Sequence, residues 1–112
     1  MHDEQWRNAQ AAVRERDEEC RRCYAPAGDV HHRQVKGMGG TSGAKRKYGL
    51  ENLVLLCRIC HGEVHADPAH SYACGFLVHS WDDPAAIPLV TAGVRTWLHK
   101  DGTVTREVCA LF

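Results

Sequence analysis

The chain has 112 residues, 44% of them hydrophobic, and its 14 Lys and Arg cancel 14 Asp and Glu to a formal net charge of zero, with a pI near 7.1. That length gives one domain with one small core, which a structural metal would usefully supplement, and the charge balance excludes a global cationic field, so any nucleic-acid surface must be a local patch. No apolar run nears the roughly 20 residues of a membrane span, and the start Met1-His2-Asp3-Glu4 has no signal-peptide core; six cysteines without such a signal point to a reducing, cytoplasmic setting and thiolate–metal chemistry.

Residues 3–19 read as a charged helix. Trp6, Ala9 and Val13, with Gln10, share a narrow stripe at helical spacing, so this helix should dock on the domain and not run through its centre. Arg7, Arg14 and Arg16, followed by Arg21 and Arg22, are also candidate DNA contacts, opposed by interspersed acids. Cys20-Arg-Arg-Cys23 opens a knuckle, after which Pro26 and Gly28 turn the chain into a short strand, 29–33. Residues 34–48, with four glycines and ending in Lys45-Arg46-Lys47, read as an exposed loop. Leu53-Val54-Leu55-Leu56 is a buried strand, and 57–66 a helix that Pro68 closes. Beyond it, 76–81 reads as a strand, 84–88 as a linker, and 95–99 with 103–108 as a hairpin around Asp101-Gly102. This tail carries no chemical constellation, and the chain has no internal repeat.

The chemistry is concentrated in 46 residues: Cys20-x-x-Cys23, His31-His32, Cys57-x-x-Cys60 and His61-x-x-x-His65. Two distant Cys-x-x-Cys pairs are a zinc signature, because a two-residue gap lets both sulfurs of a pair turn toward one tetrahedral ion. Cys20, Cys23, Cys57 and Cys60 fill that tetrahedron, so the histidines form a second cluster. His61 and His65, at i and i+4 on a helix, lie on one face at a spacing that chelates a metal. His31 and His32 point to opposite sides of a strand, so one can join them while the other faces a substrate. Asp29 shares a strand face with His31 and competes as a ligand. Three imidazoles leave open coordination positions, the plan of a catalytic site. Cys74 and Cys109 read as small buried hydrophobes, and His2, His70, His79 and His99 as packing or surface residues.

The set Asp29-Val-His31-His32-Arg33, Asn52-Leu-Val-Leu-Leu-Cys57-Arg-Ile-Cys60-His61 and the trailing His65 resembles an HNH endonuclease of the ββα-metal fold, over about residues 15–66. Gly37-Met-Gly-Gly40 and the segment from Ser71 to Pro84 resemble small HNH proteins of actinobacteria and their phages, whose phage members often accompany the DNA-packaging terminase. The resemblance implies an α+β protein of one domain (1–112): an N-terminal helix (1–19), a zinc-clamped ββα-metal core (20–66) and a β-rich C-terminal extension with a hairpin (67–112). It makes His32 the general base, Asn52 the residue that ties the loop back and orients that base, and His31, His61 and His65 the ligands of a catalytic metal. Many cysteine-clamped members carry Asp in place of the first His, whereas the full histidine set is closer to bacteriocin-type DNases, which lack the clamp.

The expected activity is hydrolysis of phosphodiester bonds in double-stranded DNA, by nicking or double-strand cleavage, with a structural Zn²⁺ and one catalytic divalent ion. Imidazoles favour Zn²⁺, Ni²⁺, Co²⁺ or Mn²⁺ over Mg²⁺, while family members often work with Mg²⁺ or Mn²⁺. Arg33, Lys36, Lys45, Arg46 and Lys47 are the candidate phosphate contacts. Terminase subunits are a partner by family analogy alone. The rival expectation is a non-catalytic zinc module that binds DNA or a packaging partner, which leaves His32 and Asn52 without a purpose. A secreted bacteriocin-like toxin is disfavoured by the free-thiol pattern and the lack of a delivery domain.

Overall fold

The computed structural model describes residues 2–34 and 47–109. Helix α1 spans His2–Asp17, two residues short of the predicted end. Glu18 takes a left-handed φ of 65° and its N–H bonds the Arg14 carbonyl at 2.9 Å, a C-terminal cap that stops the helix. Strand β1, Asp29–His32, pairs antiparallel with β2, Leu53–Leu56, placing His31 opposite Val54 and His32 opposite Leu53. Helix α2 follows at once, Arg58–Ala66, with the Cys57 sulfur accepting the Cys60 N–H as its N-cap. Pro68 does end α2, but it also begins a second helix, α3 (Pro68–Ala73), capped by Asp67; proline is well suited to a first helical position. A separate antiparallel sheet of order β3-β4-β5 comprises Leu89–Thr91, Val94–Leu98 and Val104–Val108.

The alternation of a strand's side chains organises the interior around β2. Leu53 and Leu55 face α1, where Ala9, Val13 and the partly buried Trp6 meet them. Val54 and Leu56 face the other way, onto Cys60, Val64, Phe76, Leu77, Leu89 and Leu98. The β2 edge not used by β1 is closed by the end of α1 and the chain after it: the Asp17 carboxylate accepts the Leu55 N–H at 3.0 Å, the Arg16 guanidinium donates to the Leu50 and Leu53 carbonyls, and the Arg21 N–H donates to the Leu55 carbonyl. Asp17 holds Arg16 and Arg21 in turn, at 2.7 and 2.9 Å. These two arginines are therefore structural rivets, and the expectation that they touch DNA is corrected.

One tail expectation also changes, and one strand is new. Residues 76–81 are not a strand: Phe76 and Leu77 both donate to the Ser71 carbonyl, Val78 donates to the Arg33 carbonyl, and a turn from His79 to Asp82 follows. The apolar run is used to plug the core. Leu89–Thr91, just after the predicted linker, is a strand because Ala92 and Gly93 both take positive φ, 50° and 77°, the turn geometry that folds β3 onto β4. Gly75, with φ of +81°, is required: a Cβ there would sit 2.0 Å from the Pro88 carbonyl oxygen.

Arg33 ties the tail to the hairpin. It is fully buried, and its guanidinium donates to four backbone carbonyls, those of Gly75 (2.8 Å), Glu51 (2.8 Å), Pro84 (3.0 Å) and Ile87 (2.5 Å). Burial pulls its pKa down to about 9. The molecule is thus a small α+β domain in which the C-terminal extension shares the core with the hairpin and α2. Among the described residues, no helix is long and apolar enough to cross a membrane.

Candidate metal centre

The segment after α1, the β1–β2 hairpin and α2 with its N-cap bring seven of the singled-out residues together in two clusters. The ligand atoms of Cys20, Cys23, Cys57 and Cys60 all lie within 4.8 Å of one another. A tetrahedral ion with bonds of about 2.3 Å to sulfur needs sulfurs about 3.8 Å apart, and Cys23 and Cys57 stand 3.7 Å apart. The four-cysteine cluster can hold a structural metal ion on that geometry. Donors surround it: the N–H groups of Arg22 and Cys23 reach the Cys20 sulfur, and the Arg22 guanidinium reaches the Cys60 sulfur at 3.3 Å while also bonding Glu63. Burial raises the Cys20 thiol, but N–H donors from Cys57, Cys23 and Arg22 outweigh it and draw the pKa down to about 7. Burial pushes Cys60 up to about 12. A cation binding here displaces such protons outright. Arg22, another candidate DNA contact, is engaged with the sulfur cluster instead.

The second cluster is His31, His61 and His65, whose ring nitrogens also lie within 4.8 Å of one another. Two of the three rings, those of His31 and His61, are oriented by a hydrogen bond from one nitrogen. His31 is 1% exposed, and its Nε2 donates to the Phe76 carbonyl at 2.7 Å, leaving the Nδ1 lone pair free. Burial pushes its pKa down to about 4, so it is neutral and able to ligate at physiological pH. The His61 Nδ1 donates to the Asp29 carboxylate at 3.1 Å, leaving Nε2 free. That hydrogen bond is the chief reason the Asp29 pKa is lowered; Arg58, 3.5 Å away, adds to it. Asp29 thus holds one nitrogen of His61, as an outer-shell partner of a metal-binding imidazole would, and fixes its tautomer and ring orientation. Among the described residues it is not grouped with the three imidazoles.

His32 points away from His31 on β1, as strand alternation requires. Its Nε2 bonds the Lys47 carbonyl at 3.2 Å, leaving Nδ1 as the lone-pair nitrogen, and its ring stacks on Trp6. Its pKa is lowered, mainly by burial, with the charges of Lys47 and His61 acting the same way against the hydrogen bond to Lys47. Asn52 is 1% exposed. Its Oδ1 accepts the Gln34 N–H at 2.7 Å and its Nδ2 donates to the Gln34 carbonyl, while its own carbonyl accepts the Arg33 N–H. It clamps the chain immediately after His32.

The phosphate-contact candidates divide. Arg33 is enclosed and its donors are taken, so the expectation that it contacts DNA is corrected: a guanidinium with four carbonyl partners and no solvent access cannot reach a phosphate. Lys47 is exposed, and its ammonium lies 5.5 Å over the Tyr48 ring. Lys36, Lys45 and Arg46 lie outside the described residues. Three contributors were not legible as site residues: the Phe76 carbonyl, which no side-chain motif encodes; Trp6, visible only as part of a docking stripe; and Asp29 as an orienting group, for which its shared strand face with His31 was the one available signal. Compared with known proteins, the chain matches no family model, no curated protein and no solved structure.

Proposed function

We propose that this protein is a metal-dependent endonuclease of the HNH type, hydrolysing phosphodiester bonds in double-stranded DNA. The observation that carries the reading is His32, held neutral with Nδ1 free, on the strand that also delivers His31 to the His61–His65 pair. The residues suit a zinc ion at the four sulfurs and one exchangeable divalent ion at the three imidazoles, with the free nitrogens of His31 and His61 set by Phe76 and Asp29. An ion at the histidine cluster would polarise the phosphodiester and stabilise the leaving 3′ oxygen. His32 Nδ1 takes a proton from the attacking water, and the proton rests on the imidazole, which the Lys47 carbonyl continues to hold through Nε2. Asn52 keeps the chain after His32 in place. The strand–strand–helix order of β1, β2 and α2 is that of the ββα-metal core that the motif resemblance implies.

Plasmid relaxation with added Mn²⁺, Ni²⁺, Zn²⁺ or Mg²⁺ tests the reading, paired with metal analysis. One zinc should survive mild chelation, and removal of a second, exchangeable ion should stop cleavage. His32→Ala should remain folded, keep both ions and lose about 10²–10⁴-fold in rate, the usual contribution of a general base. Cleavage by that variant at the wild-type rate would sink the proposal.

One observation favours a second reading, a zinc module that binds a DNA-packaging or other protein partner without catalysis. Arg16, Arg21, Arg22 and Arg33 are all engaged within the domain, which thins the described cationic surface that DNA would need. No nicking with any ion, from protein carrying both metals, would select it.

A further inference from the structure

Trp6 does more than the apolar stripe of α1 requires. Its side chain packs on the Leu53 and Leu55 face, and its indole lies against the His32 imidazole with ring centroids 5.2 Å apart and planes 15° from parallel, an offset stack. Among the described residues, the imidazole has one hydrogen bond, Nε2 on the Lys47 carbonyl. A single hydrogen bond fixes where one nitrogen points. It leaves the ring free to swing about that contact, and the torsion that turns an imidazole about its bond to Cβ is broad and soft. The flat indole removes that remaining freedom.

Resting on the nuclease reading, we infer that Trp6 is a positioning residue: it holds the plane of the His32 ring so that Nδ1 faces the attacking water. The docking helix α1 therefore reaches into the site. Two contacts, the α1 indole against the ring face and the Lys47 carbonyl at Nε2, together hold the ring. A base held in this way makes its proton transfer without a search, and a loss of about 1 Å in placement can cost on the order of 10²-fold in rate.

Packing and positioning are separated by shape. Trp6→Leu keeps an apolar side chain on Leu53 and Leu55 but has no flat face, whereas Trp6→Phe keeps a flat face of smaller area. In zinc-loaded full-length protein, NMR of the His32 ring protons should show an upfield shift from the indole ring current in wild type, much of it retained in Trp6→Phe and lost in Trp6→Leu. In plasmid cleavage, Trp6→Leu should lose about 10- to 100-fold in kcat with KM little changed, and Trp6→Phe should recover most of that loss. A Leu variant that melts with the Phe variant yet cleaves at the wild-type rate overturns the inference. So does a wild-type His32 signal without the ring-current shift. Should the wild type cleave nothing, the nuclease reading falls, and the NMR comparison still decides whether Trp6 orients His32.

Discussion

Replacing Arg33 should threaten the whole fold and not a DNA contact. Its guanidinium satisfies four main-chain carbonyls, at 2.5 to 3.0 Å, from three separate parts of the chain. A hydrogen bond to a charged group contributes about 1.5–3 kcal/mol, and a buried acceptor left alone costs about 1–3 kcal/mol. Four such bonds sum to about 6 kcal/mol at the low end. Water entering the space left by Arg33→Ala recovers part, so a loss of about 4 kcal/mol is the expected floor. Against a total stability of about 5–15 kcal/mol for a domain, that removes from about a quarter to about four-fifths of it. With about 4–8 °C per kcal/mol for a chain of this size, Tm should fall by about 15 °C or more. Arg33→Lys keeps a charge but offers three donors from one point to four spread carbonyls, and should recover less than half. Thermal melts by circular dichroism, with zinc saturating, measure both. An Arg33→Ala protein melting within about 3 °C of wild type would refute the cage argument. A phosphate contact would behave differently, lowering DNA affinity and its salt dependence while sparing the melt.

Asp29→Ala should weaken metal binding at the histidine cluster by about 10- to 100-fold, the usual effect of removing an outer-shell partner; competition with a chelating dye reads this directly, and unchanged affinity would show that His61 needs no partner. Cys23→Ser should lower zinc retention and uncouple the chain after α1 from the start of α2, read as zinc release under mild chelation together with a lower Tm. Full zinc content in that variant would rule out a four-sulfur site.

The local features were legible. Cys-x-x-Cys spacing and the i, i+4 relation of His61 and His65 depend on a few residues' backbone geometry, and the sulfur and imidazole clusters assemble as that spacing implies. The continuous burial of Leu53–Leu56 and the stripe of Trp6, Ala9 and Val13 were legible for the same reason. Contacts made across the chain were not. Arg33 beside two histidines looks cationic and available, and its burial depends on carbonyls 18 to 54 residues away. Phe76–Val78 carries a strand's composition, yet its N–H groups go to Ser71 and Arg33. Strand β3 hid behind Ala92-Gly93, where a non-glycine residue takes a positive φ, a weaker turn signal than the Asp101-Gly102 pair that marks the next hairpin.

The stitching of tail to hairpin makes the protein indivisible at the point where its motif ends. A chain stopped after Ala66 would keep every cysteine and histidine of both clusters. It would also strand Arg33 with one of its four acceptors, deprive His31 of the Phe76 carbonyl, and strip Phe76, Leu77, Leu89 and Leu98 from the Val54–Leu56 face. The stretch that carries the recognisable chemistry is thus shorter than the smallest piece able to fold around it, and a minimal version has to be sought by shortening loops, not by trimming the C-terminal half.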